Sequence, residues 1–208
     1  MWILESFISP KLVLTSVSSN FNSLTQPFFY HLDGKLTNVT RFFCRDAQVL
    51  ENSRDQSGSL LALDPRTNQT RVLLRGLALA SGVAVSRDGS YVLVSEYLAH
   101  RIRRFWLRGP RANSSELFVP LRGRPDNIRR NSRGQFWVAV SGAVGPNPPA
   151  RPTIVPRGVR IGPNGGVLQT VSLVREFGSQ GVSEVHEHNG TLFCGSLQAS
   201  FVAITTML

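Results

Sequence analysis

The stretch Gly82-Val83-Ala84-Val85-Ser86-Arg87-Asp88-Gly89-Ser90-Tyr91-Val92-Leu93-Val94-Ser95-Glu96 carries the reading of the fold. Two short runs rich in β-branched residues flank the polar turn Arg87-Asp88-Gly89-Ser90, which is the pattern of a β-hairpin. The phrase returns downstream. Asn127-Ile128-Arg129-Arg130-Asn131 leads through Ser132-Arg133-Gly134 into Gln135-Phe136-Trp137-Val138-Ala139-Val140. Ser183-Glu184-Val185-His186-Glu187 leads through His188-Asn189-Gly190 into Thr191-Leu192-Phe193-Cys194-Gly195. The turn glycines Gly89, Gly134 and Gly190 are thus separated by roughly 45 and 56 residues.

Between these phrases lie further strand candidates. Arg101 to Leu107 is rich in β-branched and aromatic residues, and Glu116-Leu117-Phe118-Val119 is short. Gly158-Val159-Arg160-Ile161 and Val167-Leu168-Gln169-Thr170-Val171 flank the turn Gly162-Pro163-Asn164-Gly165-Gly166. Upstream, Ser59-Leu60-Leu61-Ala62-Leu63 and Thr70-Arg71-Val72-Leu73-Leu74 enclose Asp64-Pro65-Arg66-Thr67-Asn68, where Asp opens the turn and Pro presets φ. Residues 1–57 show short apolar runs without sustained periodicity and are expected to be irregular, with residues 58–208 forming the structured domain. About four short strands per period of 40–50 residues predict an all-β fold of propeller blades, each burying its faces on its neighbours. A β-sandwich ranks second, because it does not require one phrase to recur.

Composition agrees with a folded chain. Of 208 residues, 41% are hydrophobic and 17% charged, and the 18 Gly and 12 Pro are scattered as turns require. The formal net charge is +10, and 21 of the 23 basic residues are Arg. The densest segments, Arg101–Arg108 and Arg122–Arg133, are interrupted by apolar residues or turns and carry no nucleic-acid-binding signature. An Arg-biased composition spread over strands and loops accounts for the charge, and no nucleic-acid partner is expected. Phe105 and Trp106 read as strand core. Cys44 and Cys194 stand outside any C-x-x-C motif, and the sequence leaves their pairing open. Four N-x-[ST] sequons, at Asn38, Asn68, Asn113 and Asn189, hint at the secretory pathway. Met1-Trp2-Ile3-Leu4 is too short and too soon interrupted by Glu5 for a good signal peptide, and no run approaches the ~20 apolar residues of a membrane span.

Further phrases join the hairpins: Leu73-Leu74-Arg75-Gly76-Leu77, Arg101-Ile102-Arg103-Arg104-Phe105-Trp106-Leu107 and Gly123-Arg124-Pro125-Asp126-Asn127-Ile128. With Gly82–Glu96, Arg133–Val138 and Glu184–Leu192 they stand in an order and spacing that resembles the plant strictosidine synthase-like family over most of residues 58–205. The resemblance implies a six-bladed propeller with a small-molecule pocket at the central axis and a vacuolar or secretory location. A complete ring is considerably longer than 208 residues, so the chain is expected to supply three to four blades, as a truncated form whose open blade faces favour self-association.

The resemblance also implies a chemistry: condensation of an amine with an aldehyde, with proton transfers handled by a glutamate four residues before the Glu-His pair of the last blade. That pair is Glu187-His188 here, and the matching position is Ser183. Serine is no general acid or base near neutral pH, and Glu184 points to the other strand face, so no catalytic residue is assigned and condensing activity is not expected. Related propellers that hydrolyse small esters hold calcium at the axis. Asp126-Asn127 resembles one such ligand pair, but Ser81 stands where those enzymes tend to carry Asn, and a turn cap after Pro125 is the simpler reading. His186 and His188 share a strand face without a third ligand and read as a solvated strand end. No cofactor is expected. The readings are an enzyme-like propeller acting on a small amine, aldehyde or ester, or a non-catalytic propeller scaffold.

Overall fold

The computed structural model describes residues 29–33, 56–64, 67, 69–142 and 154–206. It forms two compact units, residues 1–80 and 81–208. The first holds one antiparallel sheet of β1 (Phe29–Asp33), β2 (Gly58–Asp64) and β3 (Gln69–Leu77), in that order. The β2–β3 hairpin is the one expected around Asp64–Asn68. β1 falls in the stretch expected to be irregular: its strand character comes from pairing along β2, from Phe29 opposite Leu63 to Asp33 opposite Ser59, rather than from its own periodicity.

The second unit holds three sheets in chain order. β4 (Ala80–Val85), β5 (Tyr91–Glu96), β6 (Arg101–Trp106) and β7 (Ser115–Pro120) form one. β8 (Arg124–Arg130), β9 (Phe136–Gly142), β10 (Val155–Ile161) and β11 (Val167–Ser172) form the next. A one-turn helix, α1 (Val174–Phe177), then precedes β12 (Glu184–His188), β13 (Thr191–Gly195) and β14 (Ala203–Thr206). Each sheet is a meander of successive antiparallel strands, and the sequence hairpins are adjacent pairs within it. The β4–β5 turn shows why the sequence folds this way. Asp88 Oδ1 accepts from Ser86 Oγ at 2.7 Å, from the Ser90 N–H at 3.1 Å and from Ser90 Oγ at 2.8 Å. Gly89 supplies the left-handed φ of +71° that the turn requires.

β9 shows how the sheets stack. Phe136, Val138 and Val140 enter a core with Tyr91, Leu93, Ile102 and Val119 of the preceding sheet. Trp137 and Ala139 enter another with Val185, Leu192, Cys194 and Ala203 of the following one. One strand thus supplies both cores through its two faces, as face-to-face blade stacking demands. Phe105 is buried as expected, and Trp106 is partly buried against the first of these cores.

The first strands of the three sheets lie side by side. A Cβ on Gly82 of β4 would stand 2.8 Å from the Asn127 Cα of β8, and the Asn127 N–H donates to the Ser183 carbonyl just before β12 at 3.2 Å. Sheets of successive strands, stacked by their faces and joined along their first strands, make this a partial β-propeller. Among the described residues no helix is long and apolar enough to cross a membrane.

Candidate functional site

Antiparallel strands give each sheet two ends, and the residues singled out by sequence divide between them. At one end β4, β8 and β12 begin. Ser81, Asp126, Asn127 and Ser183 meet there, at the axial end. The expected turn cap at Asp126-Asn127 is instead a β-bulge within β8: pairing with β9 passes from Pro125 opposite Val140 to Ile128 opposite Val138, so two residues face one. The bulge frees the Asn127 N–H for Ser183, while Ser81 Oγ donates to the Pro125 carbonyl at 3.0 Å.

Ser183 is held by its backbone on both sides. Its N–H donates to the Gly195 carbonyl at 2.8 Å, and its Oγ accepts from the Leu197 N–H at 3.1 Å. The hydroxyl therefore orders the β13–β14 connection. Its neighbour Glu184 receives a fork from Arg129, with Nη2 at 2.7 Å and Nε at 3.0 Å. Asp126 has no such cation. Burial first, and then the charge of Glu184, push its carboxyl up to about 8, against a smaller lowering by the Asn127 backbone N–H. At neutral pH Asp126 is largely the neutral acid, able to donate a hydrogen bond.

Among the described residues no three His, Cys, Asp or Glu side chains come together at the axial end, Glu184 is turned to Arg129, and the Ser81 hydroxyl is turned to a carbonyl. His186 and His188 are both exposed on β12. The Cys194 thiol is free and buried, and burial, with Glu176 and Glu184, pushes it up to about 12; Cys44 lies outside the described residues.

Two buried carboxylates were not foreseen. Glu187, part of the Glu-His pair of the last sheet, has a side chain 6% exposed and accepts from Asn131 Nδ2 at 2.8 Å, Arg133 Nη2 at 2.7 Å and Trp137 Nε1 at 2.5 Å. Burial works to raise its pKa; the hydrogen bonds of Asn131 and Trp137 and the Arg133 charge prevail and hold it below the usual carboxylate range. Glu96, wholly buried, takes Arg101 Nε at 2.8 Å, with Arg103 Nε at 3.6 Å. The density of Arg around both was the available signal, because a buried acid in an Arg-rich sheet requires cationic partners.

The far end of the sheets carries the turns Ser86–Ser90, Leu107–Ser114, Asn131–Gln135, Gly162–Gly166 and Asn189–Gly190. Two sequon asparagines sit there, both exposed and both at positive φ: Asn113 at 65° and Asn189 at 48°. Asn38 and Asn68 lie outside the described residues.

A family model described as strictosidine synthase matches residues 37–110. The chain is 42% identical over 154 residues to protein strictosidine synthase-like 12 of Arabidopsis thaliana, covering 73% of this chain and 44% of that protein. It is 38% identical over 157 residues to strictosidine synthase of Catharanthus roseus, covering 76% and 44%. The chain thus spans a little under half the length of these curated relatives. Among solved structures, a luciferin-regenerating enzyme superposes with a TM-score of 0.57 at 16% identity, over 87% of this chain and 58% of that one. A calcium-binding regucalcin from Agrobacterium tumefaciens superposes with a TM-score of 0.55 at 13% identity, over 83% and 50%. Likeness at that identity is one of fold.

Proposed function

Because the chain belongs to the strictosidine synthase-like family, we propose that it is a small-molecule-binding propeller whose axial end receives the ligand, and that it does not condense amines with aldehydes. The observation that carries this reading is Ser183. It stands where the family resemblance places the glutamate that moves protons, and its hydroxyl accepts the Leu197 N–H. An alcohol with a pKa far above neutrality and an acceptor role in a turn supplies no proton-transfer group. The test is to incubate the chain with an arylethylamine and an aldehyde and to follow product by mass spectrometry, beside Ser183→Glu. The expected result is no product from the native sequence. Product at a rate equal to that of Ser183→Glu would overturn the reading.

A second reading, hydrolysis of a small ester, draws on Asp126, a carboxyl at the axial bulge that titrates at about 8. Such a group can exchange a proton near neutral pH. It predicts hydrolysis of a nitrophenyl ester that Asp126→Asn abolishes; equal rates in the two proteins remove this reading and leave a binding scaffold.

Passage through the secretory pathway to a vacuole accords with the family and with exposed sequons at Asn113 and Asn189. Glycans there would lie at the end of the sheets opposite Asp126. Glycosidase treatment of chain secreted from plant cells tests this, with loss of mass expected and an unchanged mass opposing it.

A further inference from the structure

The axial end also carries a group of cations. Arg122 and Gly123 lie in the connection from β7 to β8, Arg124 opens β8, and Arg157 lies on β10. Arg157 is two strands away from β8, with Val140 of β9 and Ser172 of β11 as register partners. Its guanidinium nevertheless reaches back to the β7–β8 connection. A Cβ built on Gly123 would stand 3.0 Å from Arg157 Nη2, and as close to the Ser141 carbonyl oxygen and Val140 Cγ1. Gly123 has φ +128°, so the missing side chain is what admits both the backbone turn and the guanidinium.

Arg157 is partly buried, and burial and the Arg122 charge both lower its pKa. Arg124 is partly buried, its guanidinium 5.5 Å from the centroid of the Tyr97 ring. The ion pairs of the described residues join Arg101 and Arg103 to Glu96, Arg104 and Arg111 to Glu116, Arg129 to Glu184 and Arg133 to Glu187. None serves Arg157 or Arg122. Two guanidinium groups that repel each other, one of them withdrawn from water, raise the energy of the fold unless an anion offsets them. Clefts lined by one sign of charge are where ligands of the other sign concentrate.

We propose that the axial end binds a small-molecule oxyanion, a carboxylate or a phosphate, between Arg157 and Arg122. The proposal rests on the reading of the axial end as the ligand-binding end, and it names the charge class of that ligand. The planar guanidinium fork matches the paired oxygens of either group, and Gly123 leaves the fork of Arg157 room to turn.

Isothermal titration of the 208-residue chain with benzoate, phenyl phosphate and benzylamine tests it. Both anions, or one, bind and the amine does not; the tighter anion distinguishes carboxylate from phosphate. Arg157→Gln weakens anion binding by roughly tenfold, and Arg157→Lys, which keeps the charge and loses the fork, falls between. Circular dichroism melts accompany each variant. Should Arg157→Gln fail to fold, Arg122→Gln, a change at an exposed position, takes its place with a loss of about threefold. Unchanged anion affinity in the folded variants overturns the proposal. Binding of benzylamine but neither anion, strengthened by Ser183→Glu, removes the oxyanion and leaves the axial reading standing; binding of none of the three removes both.

Discussion

Glu187 and Asp126 are two carboxyl groups pushed in opposite directions by their surroundings, and each sets one limb of the stability curve. Glu187 is depressed, so its contribution is fully present above the ordinary carboxylate value of 4.5 and is lost as pH falls through the lower folded value. Glu187→Gln should flatten the acid limb in urea unfolding. Glu187→Ala should cost roughly 2–4 kcal/mol at pH 7, because it strands the Trp137 and Asn131 donors. Asp126 is raised, so the native state holds a proton that the unfolded chain releases. Its stability is highest below 3.8 and falls as pH rises toward about 8. Asp126→Asn should remove that decline and gain on the order of 2–3 kcal/mol at pH 8.5; the side chain keeps some exposure, so the gain stays well below that of a fully dry carboxylate. An Asp126→Asn protein with the native pH profile would remove the assigned cause.

At the scale of elements, the closeness of β4 to β8 depends on one residue. A Cβ on Gly82 would stand 2.8 Å from the Asn127 Cα and 2.9 Å from the Ile128 nitrogen, both backbone atoms that cannot swing away. Gly82→Ala should cost about 1–3 kcal/mol and shift the Asn127 amide resonance. Gly166→Ala, with nothing within 4 Å of its Cβ, should leave the melting temperature near that of the native chain. Equal effects would mean that the strands do not approach as described. These strands were legible in the sequence, because the Asp88-Gly89 and Asn189-Gly190 turns and the apolar runs beside them are local signals. The bulge at Asp126-Asn127 was not, since a bulge is a property of the ladder with β9 and Asp-Asn after Pro reads equally well as a turn. β1 and the burial of Glu187 escaped for a related reason: partners distant in sequence, β2 in one case and Asn131, Arg133 and Trp137 in the other, confer the structure. The match to Ser183 came from the family resemblance, counted back from Glu187-His188; the Leu197 N–H that occupies its hydroxyl lies fourteen residues on and leaves no mark in the local sequence.

At the scale of the whole molecule, exposed apolar side chains gather on the last sheet and its connection. Leu197 is 68% exposed, Val202 62% and Ile204 64%. β14 is the outer strand of that sheet among the described residues. Such a surface favours association. Sedimentation velocity of the 208-residue chain should show mass rising with concentration, and Ile204→Lys with Leu197→Ser should reduce it. A monomer at all concentrations would mean that the patch is inert.

The two faces of β9 have a further consequence. Because Phe136, Val138 and Val140 serve one core and Trp137 and Ala139 the other, opening either interface uncovers one face of β9. The strand is a party wall between two rooms, and its amides should be the slowest in the second unit to exchange with heavy water, all at one common rate. Carbon removed on either side, two atoms by Val138→Ala or one by Leu192→Val, should quicken that shared clock. Fraying of β14 should leave it untouched.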